Sequence, residues 1–269
     1  MFRCGYAVLF LLPLVWGEHR RYGPLGRDAV RLSLLAGIFF AADLTFWHHS
    51  IEYVGAGLAT VLGNLQVIVV AFVAWFIIGE RPTPGTVLAV PVMLIGVVLI
   101  AGLVGGDAYG KDPVLGVILG ALTAVSYAGY LIFMRRANRD LRRPAGPLML
   151  ASASAAAAGA VVGILLGDLD ATPALPMHAW LIVLALTSQV AGYLFINVSL
   201  PRLPSVLTSL ILLTQPVATV ILSMILLGET PSPTQLVGVG LVVAGLVLAN
   251  ASRARTPAEE RALEPAGSP

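Results

Sequence analysis

Nine runs of apolar residues, most about as long as a bilayer is thick, follow one another at about 4–17, 31–51, 56–78, 86–104, 114–134, 147–167, 178–200, 205–227 and 234–251. A helix needs about 20 such residues to cross the hydrocarbon core. A transmembrane barrel would instead alternate polar and apolar residues over about 10 positions. The run VLAVPVMLIGVVLIA does not alternate. Every backbone group in lipid must be bonded within its own segment, so helices remain. Composition agrees: 11% of the residues are charged and 58% hydrophobic, against about 25% charged in a soluble domain. The expected fold is an all-α integral membrane protein, a bundle of about nine transmembrane helices.

Residues 1–17 have the look of a leader, with Arg3 ahead of an apolar stretch, but no small-x-small cleavage site follows. Basic residues come next in GEHRRYGPLGR and hold that end in the cytoplasm. The stretch is therefore read as a span. Cys4 is the single cysteine, so no intramolecular disulfide and no CxxC pattern is available.

Two of the runs are the same phrase written twice. GERPTPGTVLAVPVMLIGVVLIA begins at Gly79 and GETPSPTQLVGVGLVVAGLVLAN at Gly228, an offset of 149 residues. At that offset Gly79, Glu80, Pro82, Pro84 and Gly96 fall on Gly228, Glu229, Pro231, Pro233 and Gly245. The register holds upstream, where Gln66 falls on Gln215, Leu58 on Leu207, Ser50 on Ser199 and Phe46 on Phe195. Spans 31–51, 56–78 and 86–104 thus match 178–200, 205–227 and 234–251, and 4–17 matches 147–167. The domains expected are a first repeat at 1–104, a second repeat at 114–251, and a disordered cytoplasmic tail at 252–269, polar and proline-bearing. The span at 114–134 has no partner; its counterpart would precede Met1. The expectation is a start placed too late in the gene, with a natural nine-helix variant as the alternative.

Charge placement orients the spans. Arg20, Arg21, Arg27, Arg31, Arg81, Arg135, Arg136, Arg139, Arg142, Arg143 and Arg202 and the tail arginines fall in alternate loops on one side. The other side carries Arg3 and Lys111 with Glu52, Asp107, Asp112, Asp168 and Asp170. The arginine side is cytoplasmic by the positive-inside rule, and so is the C-terminus. Loop 18–31 then lies inside and its repeat partner at 168–178 outside. A five-helix unit is odd, so its second copy is inverted. Inverted repeats mark secondary transporters, which hold substrate between the repeats near the midplane and expose it alternately.

The GE-x-P turns at 79–82 and 228–231, each followed by a glycine-marked helix, together with LLTQPVATVILSMILLGE at 212–229 and Arg3 opening the first span, resemble the EamA family of the drug/metabolite transporter superfamily. The resemblance covers nearly the whole chain. It implies ten helices with both ends cytoplasmic, here lacking the first, and export or exchange of small metabolites, amino acids or drugs. Val67 stands where the family's first repeat usually has proline. If the start is genuine, part of the cavity wall is absent or supplied by a partner chain.

Polar residues inside apolar spans are expensive and so point to function. Asp43 lies mid-span, on a face with Phe39, Phe40, Phe46, Trp47 and Ser50. An acid in an aromatic wall suits a cationic or amine-bearing substrate, or proton coupling; packing by interhelical hydrogen bonds is the plainer alternative. Thr123, Ser126, Tyr127 and Tyr130 share one helical face, with Ser126 and Tyr130 expected in a cavity wall. Gln189, Tyr193 and Asn197 form a second stripe at four-residue spacing. Their repeat partners are Phe40, Leu44 and His48, so the two halves differ in polarity, as a substrate with unlike ends requires. Gln66 and Gln215 are a symmetric pair, and Pro216, next to the second, removes a backbone donor and frees a carbonyl in its helix. The expected substrate cavity is therefore Asp43, Trp47, Gln66, Ser126, Tyr130, Gln189, Tyr193, Asn197 and Gln215.

His48 shares a face with Glu52, but no third ligand has convincing spacing, so no metal site is expected. Glu80 and Glu229 read as caps on the helices that follow them. Gly116, Gly120, Gly159, Gly163 and the alanine run at 151–158 let helices approach closely. The leading reading is a secondary transporter of the inner (plasma) membrane. The alternatives are an intramembrane enzyme on a lipid-linked substrate, for which no clustered catalytic groups are visible, and a non-transporting subunit. The partners expected are a small-molecule substrate, the lipid bilayer and a second copy of the chain in a homodimer, with no nucleic acid and no cofactor.

Overall fold

The computed structural model describes residues 1–78, 83–104, 108–167, 175–199 and 205–253, and among these it is helical, with no strand. The helices are α1 (Phe2–Tyr22), α2 (Arg27–Gly63), α3 (Gln66–Ile78), α4 (Pro84–Ile100), α5 (Pro113–Ala137), α6 (Ala145–Leu166), α7 (Leu175–Leu184), a π-helical stretch at Ala185–Gly192, α8 (Tyr193–Ser199), α9 (Ser205–Leu226) and α10 (Pro233–Arg253). Beyond Arg253 the expected tail lies outside the described residues.

Among the described residues four stretches, Arg27–Val73, Pro113–Ala137, Ala145–Leu165 and Leu175–Ile196, are long and apolar enough to cross a membrane; Pro84–Ile100, Thr214–Leu226 and Pro233–Ala249 are shorter apolar helices. The first run lies within α1, where Arg3, Glu18, His19, Arg20 and Arg21 extend the helix at both ends. The outward face is apolar: Phe76 and Leu165 are each 78% exposed. In water such a surface would drive aggregation; in lipid it is solvated. This is a multi-pass membrane protein.

The first of the long stretches contains a reversal. Gly55 has φ 84° and ψ 165°, a conformation only glycine adopts without strain. Before it, α2 runs antiparallel to α5: Phe39 lies against Gly129, and the Ser50 hydroxyl donates to the Gly116 carbonyl at 2.8 Å. After it, Val54 meets Gly116 and Leu62 meets Gly120, so the chain now runs alongside α5. The two expected spans at 31–51 and 56–78 are separated here.

The chain divides into two compact units, residues 1–45 with 125–202 and residues 46–124 with 203–269. Each draws on both halves of the sequence, and each has its own apolar core. In the first unit Leu11, Phe40, Tyr130 and Leu148 are fully buried. There α1 and α6 are antiparallel, since Gly159 faces Met1 while the Glu18 carboxylate accepts from the backbone N–H groups of Ala145 and Gly146, each at 2.9 Å. Glu18 thereby satisfies donors left open at the start of α6.

In the second unit Leu58, Leu62, Met93, Ile100 and Leu246 form the core. Here α4 and α10 are antiparallel: Gly96 lies against the backbone of Gly238, and Gly245 against Ala89 and Met93. Small residues permit that approach. Ser232 and Gln235 cap α10 reciprocally. The Ser232 hydroxyl accepts from the Gln235 N–H at 3.3 Å, and Gln235 Oε1 accepts from the Ser232 N–H at 3.0 Å. Thr83, at the matching place in the first repeat, accepts from the Thr86 N–H at 3.3 Å.

This corrects the expected role of Glu229. The buried carboxylate does not cap α10. It accepts from the N–H of Ala56 and, at 3.1 Å, from that of Gly57. The Gly55 turn opens a fresh helix start, and its free N–H groups attract the charge. Glu80, the equivalent residue of the first repeat, lies outside the described residues.

Candidate functional site

Asp43 is the charge that α2 carries into an apolar environment. It is 7% exposed and sits three residues after Phe40, so both fall on the side of α2 buried in the first unit. α5 contributes Tyr127 and Tyr130 one turn apart, and α8 opens with Tyr193. The Tyr130 ring lies 4.8 Å from Phe40, Tyr127 stacks on Tyr130 at 5.6 Å, and Tyr193 meets Phe40 and Tyr130 edge-on at 5.7 and 5.9 Å. The rings therefore enclose one another in the offset and edge-to-face geometries that aromatic quadrupoles favour.

Arg3 of α1 completes the cluster, its guanidinium 5.9 Å from the centre of the Phe40 ring. Asp43 and Arg3 act on one another electrostatically, and the Asp43 charge also reaches Tyr127, Tyr130 and Tyr193. Among the described residues the ion pairs within 4 Å are those of Asp140 with Arg142 and Arg143. The acid and base at this site are thus near each other without being paired.

A second polar element adjoins Tyr193 in sequence. Gln189, 1% exposed, sits in the π-helical stretch and donates through Nε2 to the Ser152 hydroxyl at 3.3 Å. Its Oε1 is buried and has no partner among the described residues. A π-helical turn sacrifices regular hydrogen bonding and recurs at functional sites, and an unsatisfied buried acceptor costs about 1–3 kcal/mol. Ser126, 7% exposed, lies one turn before Tyr130 on α5.

Of the residues expected to line a cavity, Asp43, Ser126, Tyr130, Gln189 and Tyr193 all fall in the first unit. The side chain of Asn197 lies outside the described residues. Trp47, Gln66 and Gln215 belong to the second unit. Trp47 packs on that unit's apolar core, Gln66 opens α3 with Oε1 buried and without a partner among the described residues, and Gln215 is exposed on α9. No group of three or more His, Cys, Asp or Glu able to hold a metal occurs among the described residues.

Two participants were hard to see in the sequence. Arg3 stands there only as the residue that opens the first span, yet an arginine just ahead of an apolar stretch has a stem long enough to reach back into the bundle. Ser152 lies in the alanine-rich stretch and reads there as one more small packing residue.

Compared with known proteins, the chain matches the EamA-like transporter family over residues 1–102 and 114–251. A solved structure described only as "Crystal structure of protein" superposes on 92% of this chain and 88% of its own with a TM-score of 0.58, at 21% identity. That likeness carries the fold alone. No curated protein matches the chain in sequence.

Proposed function

The chain belongs to the EamA-like transporter family, and from that premise we propose that it is a secondary active transporter that exports or exchanges small metabolites, amino acids or drugs. The observation that carries this reading is Asp43: a carboxylate 7% exposed, on the buried face of α2 that also presents Phe40 to Tyr130 and Tyr193, with Arg3 acting on it electrostatically and no ion pair within 4 Å among the described residues. Burying a charge without a full partner is costly, and a substrate amine or a proton repays that cost when it arrives. Aromatic faces add cation–π attraction for the same ligand. An arginine close by favours a substrate whose other end is a carboxylate, which places amino acids among the candidates.

The mechanism is alternating access between two inverted repeats, 1–104 and 114–251. Support comes from the helix pairs α1/α6 and α4/α10, whose members occupy matching places in the two repeats and run antiparallel. The π-helical stretch at Ala185–Gly192 is the element whose turn is already loosened. The cluster is closely buried, so a substrate reaches it when the helices around it part. Asp43 carries proton coupling: it releases its proton to one side and takes substrate or proton from the other. The protein sits in the inner membrane with its C-terminus in the cytoplasm, as a homodimer.

The test is transport by proteoliposomes loaded with labelled amino acids or organic amines, with and without a pH gradient. Native protein is expected to move at least one amine-bearing class, faster with the gradient. Asp43→Asn is expected to lose about tenfold or more of that flux together with its response to the gradient. Normal gradient-driven transport by Asp43→Asn would refute the role given to this carboxylate.

A further inference from the structure

Where the α1–α2 and α5–α6 connections meet, the first unit holds a cavity of about 570 Å³ whose wall includes Arg31, Arg136, Arg139 and Arg143 with Asp28 and Asp140. It is separate from the Asp43 cluster: none of its lining residues belongs to that site.

The charges there are unequally committed. Arg143 donates to Asp140 at 3.0 Å and to the carbonyls of Tyr22, Gly23 and Pro24 at 3.2, 3.3 and 3.1 Å. Arg142, outside the wall, also holds Asp140, at 2.9 Å. Asp140 is therefore neutralised and Arg143 fixed in place. The hydrogen bond from Arg142 pulls the Asp140 carboxyl down to about 2, so these partners persist at any pH suited to binding measurements. Arg31, Arg136 and Arg139 make no ion pair with a described residue. Against these three guanidiniums stands Asp28, in the first turn of α2.

We propose that this cavity binds a phosphate-bearing anion, with Arg31, Arg136 and Arg139 as its donors. A guanidinium fork matches phosphate geometry better than a point charge does. The start of α2 borders the space with N–H groups that have no intrahelical acceptor. Leu32 and Leu35 line the same cavity, and Leu35 is 42% exposed, which gives an acyl chain an apolar wall beside the headgroup. Basic pockets between membrane helices hold anionic headgroups in this way. The phosphate is that of an anionic phospholipid or of a soluble phosphate ester.

Purified full-length protein incubated with phosphatidylglycerol, phosphatidylcholine or glycerol 3-phosphate, and read by native mass spectrometry, separates these sources. Preferential retention of phosphatidylglycerol that glycerol 3-phosphate does not displace identifies the lipid; displacement identifies the soluble ester. The triple variant R31Q/R136Q/R139Q is expected to bind roughly a hundredfold more weakly, and Arg139→Gln alone about fivefold, as befits charges that each add a similar increment at an anionic ligand. Arg139 is exposed beyond α5, so the single variant tests the site even if the triple variant does not fold. Arg135→Gln, exposed on the same turn but outside the cavity wall, is expected to bind like native protein. Equal retention of the two lipids with no uptake of glycerol 3-phosphate overturns the proposal, as does undiminished binding in the arginine variants.

Discussion

Gln189 offers the sharpest separation of function from stability at the scale of single residues. Among the described residues its Oε1 is buried without a partner, and its side-chain bond, to Ser152, is 3.3 Å long. An apolar side chain of similar size removes that unsatisfied acceptor, worth about 1–3 kcal/mol, against the loss of one long hydrogen bond to Ser152, worth about 1 kcal/mol. Gln189→Leu is therefore expected to melt at the same or a higher temperature while losing about tenfold in transport, the worth of one hydrogen bond to substrate. A large drop in melting temperature with transport intact would assign Gln189 to packing instead. Asp43 was legible in the sequence because a charge inside an apolar run has few explanations. Its surroundings were less so. Tyr127, Tyr130 and Phe40 follow from helical spacing, but that α1 brings Arg3 to them is a fact of tertiary packing that no periodicity reports.

Between elements, the contacts that matter span long sequence separations. Glu229 binds the helix start at Ala56 and Gly57, and hydrogen bonds to charged groups contribute about 1.5–3 kcal/mol. Glu229→Ala is expected to cost about 3 kcal/mol in a detergent unfolding titration, and Glu229→Gln less, because an acceptor remains. No loss in either variant would show the turn at Gly55 to be held by other contacts. At the α4/α10 crossing, a Cβ on Gly96 would lie 2.7 Å from the Gly238 carbonyl oxygen and 2.9 Å from Val242. Gly96→Val is expected to destabilise by about 1–3 kcal/mol through overpacking, read in the same titration. The repeated turn was easy to find at this scale and its role easy to misread: a glutamate just ahead of a helix looks like that helix's cap. What the sequence hides is the partner, exposed only because Gly55 breaks α2 far away. The caps on α4 and α10 were within reach, since T-x-x-T and S-x-x-Q stand at the same place in both copies.

The whole molecule is arranged differently from its sequence halves. The repeats run in succession along the chain, whereas each compact unit gathers helices from both. That the apolar runs are helices could be read directly, because lipid leaves the backbone no alternative. The interleaving could not, because it depends on which faces meet, and faces that are apolar on every side carry no directional signal. The proposed inversion of the two copies underlies both the proposed alternating-access mechanism and the orientation read from the loop charges, so it is the claim to test first. In a Cys4→Ala background, Pro24→Cys and Pro173→Cys occupy corresponding loops of the two repeats. An impermeant maleimide applied to intact cells is predicted to label position 173 and to label position 24 only after the membrane is opened. Labelling of both positions from the same face would contradict the account.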